Sequence, residues 1–391
     1  MKVYVSFVLT VLVLIGCTPS TRHDLVIQNV WLFDGHVERG IINIAINADT
    51  IAAITREKLV GDSLIDGTGK YIIPGLVNAH VHASSLEDLK EGYSLGILTL
   101  LNMHTGLEDR EWAWKKMAFD SAGFSRFYGC GQAATVPGGH PSQFSPNMES
   151  ISDLLSVQDW VDNRIASHAD YIKIIREHHE WMGYPPLPTL SFEQIKEIID
   201  YAHSKGLKVV VHANTVDEVV KIAEFGPDGF VHMLDYKEDY PVSESYFKAL
   251  ADCGAFVVTT SGMSLKSMED APPFVREWVA NNLLDAQQRS EVIKELKDHE
   301  ILIVAGTDAQ EGQMDFGADY FLELKLFEKA GLSNEEILRA ATGNAAIAFG
   351  LPIGELKVGS NADMVILKGN PLADLDNLNT VEQVWKNGKW N

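Results

Sequence analysis

An apolar run ends in two histidines in the stretch Pro74-Gly75-Leu76-Val77-Asn78-Ala79-His80-Val81-His82. Side chains alternate between the two faces of a β-strand, so His80 and His82 share one face and can point at one ion. Neutral imidazole is a ligand for zinc and similar divalent metals. The stretch therefore predicts a pair of metal ligands at a strand end, and a site with two metals needs four or more further ligands.

Further apolar runs of strand length follow this one and alternate with helix patterns, which is typical of a parallel α/β architecture. Two capping boxes, Ser191-Phe192-Glu193-Gln194 and Ser333-Asn334-Glu335-Glu336, mark helix starts. Eight strand and helix units favour a (β/α)₈ TIM barrel over an open doubly wound sheet. The predicted strands are Leu76 to Ala79, Ile97 to Met103, Phe124 to Gly129, Tyr171 to Ile175, Lys208 to Val211, Gly229 to Val231, Ala255 to Thr259 and Ile301 to Ala305.

The two ends of the chain read as short strands separated by turn residues. A β-rich segment at one end cannot bury both of its faces alone, so we expect residues 24–72 and 352–391 to form a composite β-sandwich. The barrel then occupies residues 73–351. A length of 391 residues suits one α/β domain of roughly 250 to 300 residues together with a smaller one.

The charge balance excludes some partners. The chain has 32 basic and 54 acidic side chains, a formal charge of −22, which argues against binding to nucleic acid or docking on anionic lipid through charge. Cys130 and Cys253 lie far apart in the sequence and are read as packed thiols rather than a disulfide scaffold.

The first residues of the chain have the pattern of a signal peptide, which predicts that the protein is exported. Residues 1–16 hold one charge, Lys2, and an apolar run too short for a convincing transmembrane helix. Leu14-Ile15-Gly16-Cys17 is similar to a bacterial lipobox, which implies cleavage before Cys17, a lipid on that cysteine and a tether over residues 17–23. Thr18 then indicates the periplasmic face of the outer membrane in the bacterial cell envelope. An ordinary signal peptide and an uncleaved anchor are the alternatives.

Polar residues stand at the ends of the predicted barrel strands, where barrel enzymes place their active sites. His80 and His82 follow strand one, and Lys173 lies on strand four. His212 closes strand five, His232 closes strand six and Asp308 follows strand eight. A single histidine at a strand end is more often structural, but six such residues in register predict a metal site.

Lys173 lies between Ile172 and Ile174, and burial favours its neutral amine. A neutral lysine can react with carbon dioxide to give a carbamate, whose two oxygens could each bind one metal. The alternative is an ordinary ion pair with a carboxylate such as Asp170.

These residues, in this order and with Pro-Gly before the first pair, resemble the amidohydrolase superfamily, in particular its binuclear branch with a carbamylated lysine. The segments 356–363 and 369–372 are similar to its closing segment. Residues 169–174, 202–206 and 212–213 resemble the prolidase-like, or Xaa-Pro dipeptidase, group. Gly138-Gly139-His140 also resembles that group, which implies that His140 lies near the substrate.

The sequence departs from that group after strand four. The group usually has a glycine-rich stretch there, whereas this chain has residues 176–181, which are bulky and charged. His178 and His179 in this loop are either substrate contacts or exposed loop residues. His104, after strand two, is either a partner of the site or a structural residue.

The resemblance implies two divalent metals, with zinc expected. His80, His82 and Asp308 would bind one metal, His212 and His232 the other, and carbamylated Lys173 both. A hydroxide bridging the metals would hydrolyse the C–N bond of a small amide, peptide or cyclic amide, with Asp308 carrying the proton. The alternatives are lactone or phosphoester hydrolysis on the same metals and a lipid-anchored binding protein without turnover. An oligomer is compatible with the sequence, which identifies neither the oligomeric state nor the substrate.

Overall fold

The computed structural model describes residues 21–177 and 185–390. Three positions with predicted roles, Cys17, His178 and His179, lie outside the described residues. Within the described residues, no helix combines the length and the apolar character that crossing a bilayer requires.

The described residues contain both strands and helices in alternation. The strands are β1 (Arg22–Phe33), β2 (Glu38–Asn47), β3 (Thr50–Thr55), β4 (Val60–Asp66), β5 (Tyr71–Pro74), β6 (Leu76–His82), β7 (Ile97–Asn102), β8 (Arg126–Gly129), β9 (Ile172–Arg176), β10 (Val209–Ala213), β11 (Gly229–Val231), β12 (Phe256–Val258), β13 (Ile303–Val304), β14 (Ala309–Gln310), β15 (Met364–Leu367), β16 (Val381–Lys386) and β17 (Lys389–Trp390). The helices are α1 (Asp88–Glu91), α2 (Glu108–Asp120), α3 (Val157–Ala166), α4 (Phe192–Ser204), α5 (Val216–Ala223), α6 (Glu244–Cys253), α7 (Pro273–Asn282), α8 (Ala286–Asp298), α9 (Tyr320–Lys329), α10 (Asn334–Ala340) and α11 (Gly343–Phe349).

Two parallel sheets form the middle of the chain. One has the strand order β14-β6-β7-β8 and the other β13-β12-β11-β10-β9. Each of the eight strands predicted for this region is observed, with ends that differ by up to three residues. Strands of a parallel sheet are covered on both faces, which explains continuous apolar runs such as 209–211, whose three valines are fully buried.

Backbone hydrogen bonds join the two parallel sheets at both of their edges. On one side the N–H of Ala134, five residues beyond β8, donates to the Lys173 carbonyl of β9 at 2.8 Å. On the other side the N–H of Ala79 in β6 donates to the Ala305 carbonyl, just after β13, at 2.9 Å. The ends of β6 and β13, which lie far apart in the sequence, are therefore neighbours.

A third sheet combines strands from both ends of the chain. Its order is β17-β16-β15-β5-β1-β2-β3, and β4 pairs with β1. β5 and β15 pair antiparallel, with Ile73 opposite Val365. Trp385 is completely buried in the apolar core of this sheet. The domain boundaries given above stay predictions.

Both predicted capping boxes are present. The Ser191 hydroxyl accepts from the Gln194 N–H at the start of α4, and Ser333 caps α10 in the same way through Glu336. α4 then buries the apolar face that contains Ile195 and Ile198. Burying each such side chain stabilises the fold by roughly 1.5–3 kcal/mol. The strand ends that carry the candidate site thus stand on a packed scaffold.

Candidate metal centre

Two histidines and one aspartate meet at the ends of β6 and β13. Nε2 of His80 lies 3.2 Å from Oδ1 of Asp308, and Nε2 of His82 lies 3.0 Å from the same oxygen. One potential ligand atom from each of the three residues lies within 4.8 Å of the others. Their separation fits two imidazole nitrogens and a carboxylate oxygen around one divalent ion.

His80 has the environment expected of a ligand. Its side chain is fully buried, and apart from the Asp308 carboxylate 3.2 Å from Nε2, its ring nitrogens have no hydrogen-bond partner among the described residues. Burial and the nearby positive charge of Lys173 together lower the pKa of His80 to about 3. The ring is therefore neutral, and an unpartnered buried polar group costs about 1–3 kcal/mol unless something binds it. A metal ion would satisfy this requirement.

Asp308 is fixed by its backbone. Its N–H donates to the His80 carbonyl at 2.9 Å, and its φ of +59° is in the left-handed region. The preceding Thr307 is joined to Asn78 of β6 by two hydrogen bonds, of 2.8 and 3.1 Å. Burial alone would raise the pKa of Asp308, but the adjacent His80 and His82 hold this pKa well below its usual value. Asp308 is thus a carboxylate, the form that binds metal.

His232 follows β11, and its ring lies close to those of both His80 and His212. Its ring centroid is 4.6 Å from that of His80 and 4.7 Å from that of His212. Nδ1 of His232 lies 2.6 Å from Oγ1 of Thr260, which leaves Nε2 available to a ligand. Burial lowers the pKa of His232 well below its usual value, so this ring is also neutral. His232 and Thr260 have φ values of +150° and +49°, and such strain is often found at functional sites.

Lys173 is buried, and the Asp308 carboxylate is the negative charge that acts on its amine. Its exposed fraction is 1%, and its side chain forms no hydrogen bond or ion pair with residues 21–177 or 185–390. Burial lowers the pKa of Lys173 to about 8. The alternative partner, Asp170, instead pairs with Lys115 and accepts the Gly129 N–H at 2.9 Å. The ion pair weighed as an alternative is therefore not formed, because Asp170 precedes β9 and has its own partners.

The six predicted ligands thus fall into two groups. His80, His82 and Asp308 form a cluster with ligand spacing, whereas Lys173, His212 and His232 are not part of that cluster. The histidines of the second group still adjoin the first through the contact of His232 with His80.

His140 lies beside this centre, with its ring centroid 6.1 Å from that of His212. The Gln143 amide donates to Nδ1 of His140 at 2.7 Å, so the proton of the neutral ring is on Nε2. Burial lowers the pKa of His140 to about 4, with His212 lowering it further, which keeps the ring neutral. His140 can therefore donate a hydrogen bond through Nε2.

His104 has a structural environment. Its Nδ1 accepts from the Ala133 N–H at 3.2 Å, so Nε2 carries the proton and lies 3.0 Å from the Ser145 hydroxyl. These contacts hold the loop after β8, on which His140 lies.

The sequence analysis missed three polar residues around the second group. Glu177 Oε2 lies 3.1 Å from Nε2 of His212, Asn214 donates to the same oxygen, and Thr260 contacts His232. Each stands one to two residues beyond the end of a strand. Their position at strand ends is the signal that could have identified them.

Comparison with known proteins identifies the family. The model of the amidohydrolase family matches residues 71–391, and the chain belongs to this family. This agrees with the resemblance in the sequence and confirms the predicted class, an enzyme that hydrolyses carbon–nitrogen bonds.

Among its relatives, the chain is 22% identical over 376 residues to a 5-methylthioadenosine/S-adenosylhomocysteine deaminase of Haloarcula marismortui, which covers 85% of this chain and 81% of the relative. The crystal structure of a Xaa-Pro dipeptidase with bound methionine superimposes with a TM-score of 0.78 at 19% identity, covering 94% of this chain and 99% of that one. The structure of Aspergillus niger ochratoxinase gives a TM-score of 0.76 at 18% identity, with coverage of 94% and 95%. At these identities the two comparisons establish a likeness of fold. The structures of similar fold include a member of the prolidase-like group, the Xaa-Pro dipeptidase.

Proposed function

We propose that this protein is a metal-dependent amidohydrolase that cleaves the C–N bond of a small amide, peptide or cyclic amide. The observation that carries the proposal is the convergence of His80 Nε2 and His82 Nε2 on one oxygen of Asp308, at 3.2 and 3.0 Å. Two imidazole nitrogens and a carboxylate oxygen this close together are donor atoms suited to one divalent cation.

Two divalent ions, with zinc as the expected metal, would be held by six residues. His80, His82 and Asp308 would hold one, His212 and His232 the other, and Lys173 both after its conversion to a carbamate. The burial of Lys173, which lowers the pKa of its amine to about 8, supports this assignment, because an amine becomes nucleophilic towards carbon dioxide only when neutral. Such ions, when bound, polarise a carbonyl group and make water a stronger nucleophile at neutral pH.

The residues of the chain have separate tasks in the proposed hydrolysis. Asp308 accepts a proton from the attacking water while the new C–O bond forms at the scissile carbonyl. It then passes this proton to the leaving nitrogen as the C–N bond breaks. His140, neutral and with its proton on Nε2, donates a hydrogen bond to the substrate.

A dipeptide is the substrate class that we propose first. The likeness of fold to a Xaa-Pro dipeptidase supports this choice. Because the chain is also similar to a deaminase and an ochratoxinase, other substrates with a C–N bond are alternatives. Lactone or phosphoester hydrolysis on the same metals is the alternative chemistry. A binding protein without turnover is the alternative outside catalysis.

A substrate panel on zinc-loaded protein tests these proposals. It contains Xaa-Pro and other dipeptides, N-acyl amino acids, cyclic amides, 5-methylthioadenosine, lactones and phosphotriesters. Turnover of the dipeptides or other amides that disappears on chelation and returns with zinc is the expected result. Turnover of lactones or phosphotriesters alone would contradict amide hydrolysis, and bound metal without any turnover would favour the binding protein.

We further infer that the two parallel sheets close into a (β/α)₈ barrel. The hydrogen bonds from Ala134 to Lys173 and from Ala79 to Ala305 support closure, since they connect the segment after β8 to β9 and β6 to the residue after β13. The composite sheet from both chain ends, completed as a β-sandwich, would be the second domain.

Anchoring is a separate proposal that rests on the sequence of residues 14–17. A lipid on Cys17 would hold the protein at the periplasmic face of the outer membrane. Cys17→Ser should move the protein from the membrane fraction to the soluble fraction, and unchanged retention would contradict the proposal.

A further inference from the structure

A carboxylate outside the six proposed ligands contacts one of them. Glu177 follows β9 directly, and its Oε2 lies 3.1 Å from Nε2 of His212 at the end of β10. The side chains of Glu177 and His212 are 18% and 13% exposed. Asn214, two residues after His212, donates from its side-chain amide to the same Glu177 oxygen. His212 and Asn214 therefore contact the same oxygen of the Glu177 carboxylate.

This contact determines which nitrogen of His212 carries the proton. An ionised carboxylate only accepts hydrogen bonds, so Nε2 of His212 is the protonated nitrogen and donates to Glu177. Nδ1 then keeps its lone pair. The partner of a ligating histidine commonly fixes the tautomer and the ring orientation in this way.

The neighbouring histidine is held at the opposite nitrogen. In His232 the Thr260 hydroxyl contacts Nδ1, which leaves Nε2 for a ligand. The two rings are nearly perpendicular, with an interplanar angle of 81° and centroids 4.7 Å apart. Each of the two rings is thus held at one nitrogen, which leaves Nδ1 of His212 and Nε2 of His232 as the atoms available to a ligand.

We propose that Glu177 is a positioning residue that fixes His212 in the Nε2–H tautomer, so that Nδ1 becomes the ligand of the second metal. The inference rests on the proposed two-metal function and adds to it a residue that touches neither metal nor substrate. Asn214 supports the role by restraining the carboxylate.

The test compares zinc binding in four full-length proteins: wild type, Glu177→Leu, Glu177→Gln and the control Glu311→Leu. Glu311 is an exposed carboxylate directly after β14, and it accepts a hydrogen bond of 3.2 Å from the Ser84 hydroxyl. Leucine removes the acceptor, and glutamine keeps an acceptor oxygen without the charge. Zinc affinities are measured by competition with a chelator, and thermal unfolding shows that each variant is folded.

We expect Glu177→Leu to weaken binding of the second zinc about 10- to 100-fold, the range found when the partner of a ligating histidine is removed. Glu177→Gln should show a smaller loss, and both variants should keep the affinity of the first zinc. Glu311→Leu should match the wild type for both ions.

Side-chain NMR of isotopically labelled histidine in the zinc-loaded proteins gives the second readout, with His212 assigned through His212→Gln. The wild type should show His212 bound through Nδ1, and Glu177→Leu should lose this signature. Equal second-zinc affinity in the wild type and Glu177→Leu, or a wild-type His212 bound through Nε2, would overturn the inference and leave the two-metal proposal standing. A wild type that binds only one zinc would instead overturn the two-metal proposal, and the inference with it.

Discussion

The two halves of the proposed centre are positioned by different parts of the molecule. His80, His82 and Asp308 are held by the backbone of adjoining strands, since β14 pairs with β6 at Val81 and His82 and the Asp308 N–H donates to the His80 carbonyl. His212 and His232 instead have their rings held by side chains from loops, Glu177 and Thr260. The side chain of Lys173 is buried, with Asp308 as the carboxylate that raises the pKa of its amine against the effect of burial.

This difference indicates how the centre is assembled. The first half follows from strand register, so its ligand atoms already lie within 4.8 Å of one another. The second half needs loop side chains in place and, in our proposal, a chemical modification of Lys173. Metal should therefore bind more strongly to the first half, and changes in the surroundings should mainly affect the second.

Asp308→Asn should have the largest effect, because it removes both a ligand of the first half and the proposed proton carrier. General acid–base catalysis contributes about 10²–10⁴-fold, so kcat/KM should fall by about 10³-fold or more. Steady-state kinetics on the zinc-loaded variant measures this, with Glu311→Gln as the control for loss of a carboxylate near the site. Retention of a tenth of the activity would exclude Asp308 as the proton carrier.

Lys173→Ala should come next and should affect the second half most. Without this ligand the second metal should bind weakly, and a bound metal supplies several kcal/mol of transition-state stabilisation. Because each 1.36 kcal/mol is a factor of ten, activity should fall about 10²–10³-fold together with binding of the second metal. Acetate or propionate could enter the space left by the lysine and restore part of the activity when zinc is supplied. Lys221→Ala, on the surface of α5, is the control.

Two results would contradict the carbamate. One is a Lys173→Ala variant with two tightly bound metals and near-normal turnover. The other is an unmodified lysine in mass analysis of gently handled, fully active wild-type protein.

Thr260→Val should have a smaller effect that is confined to the second half. Valine is also β-branched, so it keeps the shape at a position with a φ of +49° but loses the hydroxyl that contacts His232. Second-zinc affinity should fall about 10-fold, as measured by chelator competition. Thr55→Val in β3 should leave it unchanged, and an equal loss of the first zinc would contradict the division into two halves.

Glu323→Gln should change the pH dependence of stability more than the activity. The Glu323 carboxyl accepts from the N–H groups of Ser261 and Gly262, behind Thr260. Burial raises the pKa of Glu323 from 4.5 to about 7. The folded chain then binds this proton more tightly than the unfolded chain, so the contribution to stability is complete below about pH 4.5 and is lost as the pH rises to about 7.

Denaturant unfolding at several pH values measures this effect. Glu323→Gln should make the free energy of unfolding less dependent on pH between about pH 4.5 and 7. Part of the slope should remain, because burial also raises the pKa of Glu111 to about 7. A slope identical to that of the wild type would show that Glu323 is ionised throughout this range.

Local patterns in the sequence predicted much of this structure. The eight apolar runs, the capping serines and the histidine pair of β6 depend on spacing within a few residues, and the structure contains all of them. The resemblance to the amidohydrolase superfamily also implied that His80 and Asp308 would bind one metal, and in the structure Nε2 of His80 lies 3.2 Å from Oδ1 of Asp308.

Sequence patterns could not predict the contacts between side chains on different loops. Glu177 and His212 are 35 residues apart, and His232 and Thr260 are 28 apart. Which polar side chains meet at these distances depends on the path of each loop after its strand, and neither periodicity nor a motif records that path. The ion pair between Lys115 and Asp170, which are 55 residues apart, could not be predicted from the sequence for the same reason.

The most direct test of the two-metal centre is the metal content of the purified, fully active chain. Elemental analysis of protein prepared without chelators should give two divalent ions per chain, and stepwise removal should release the ion of the second half first, with loss of activity. A fully active chain that holds one divalent ion, or none, would contradict the account.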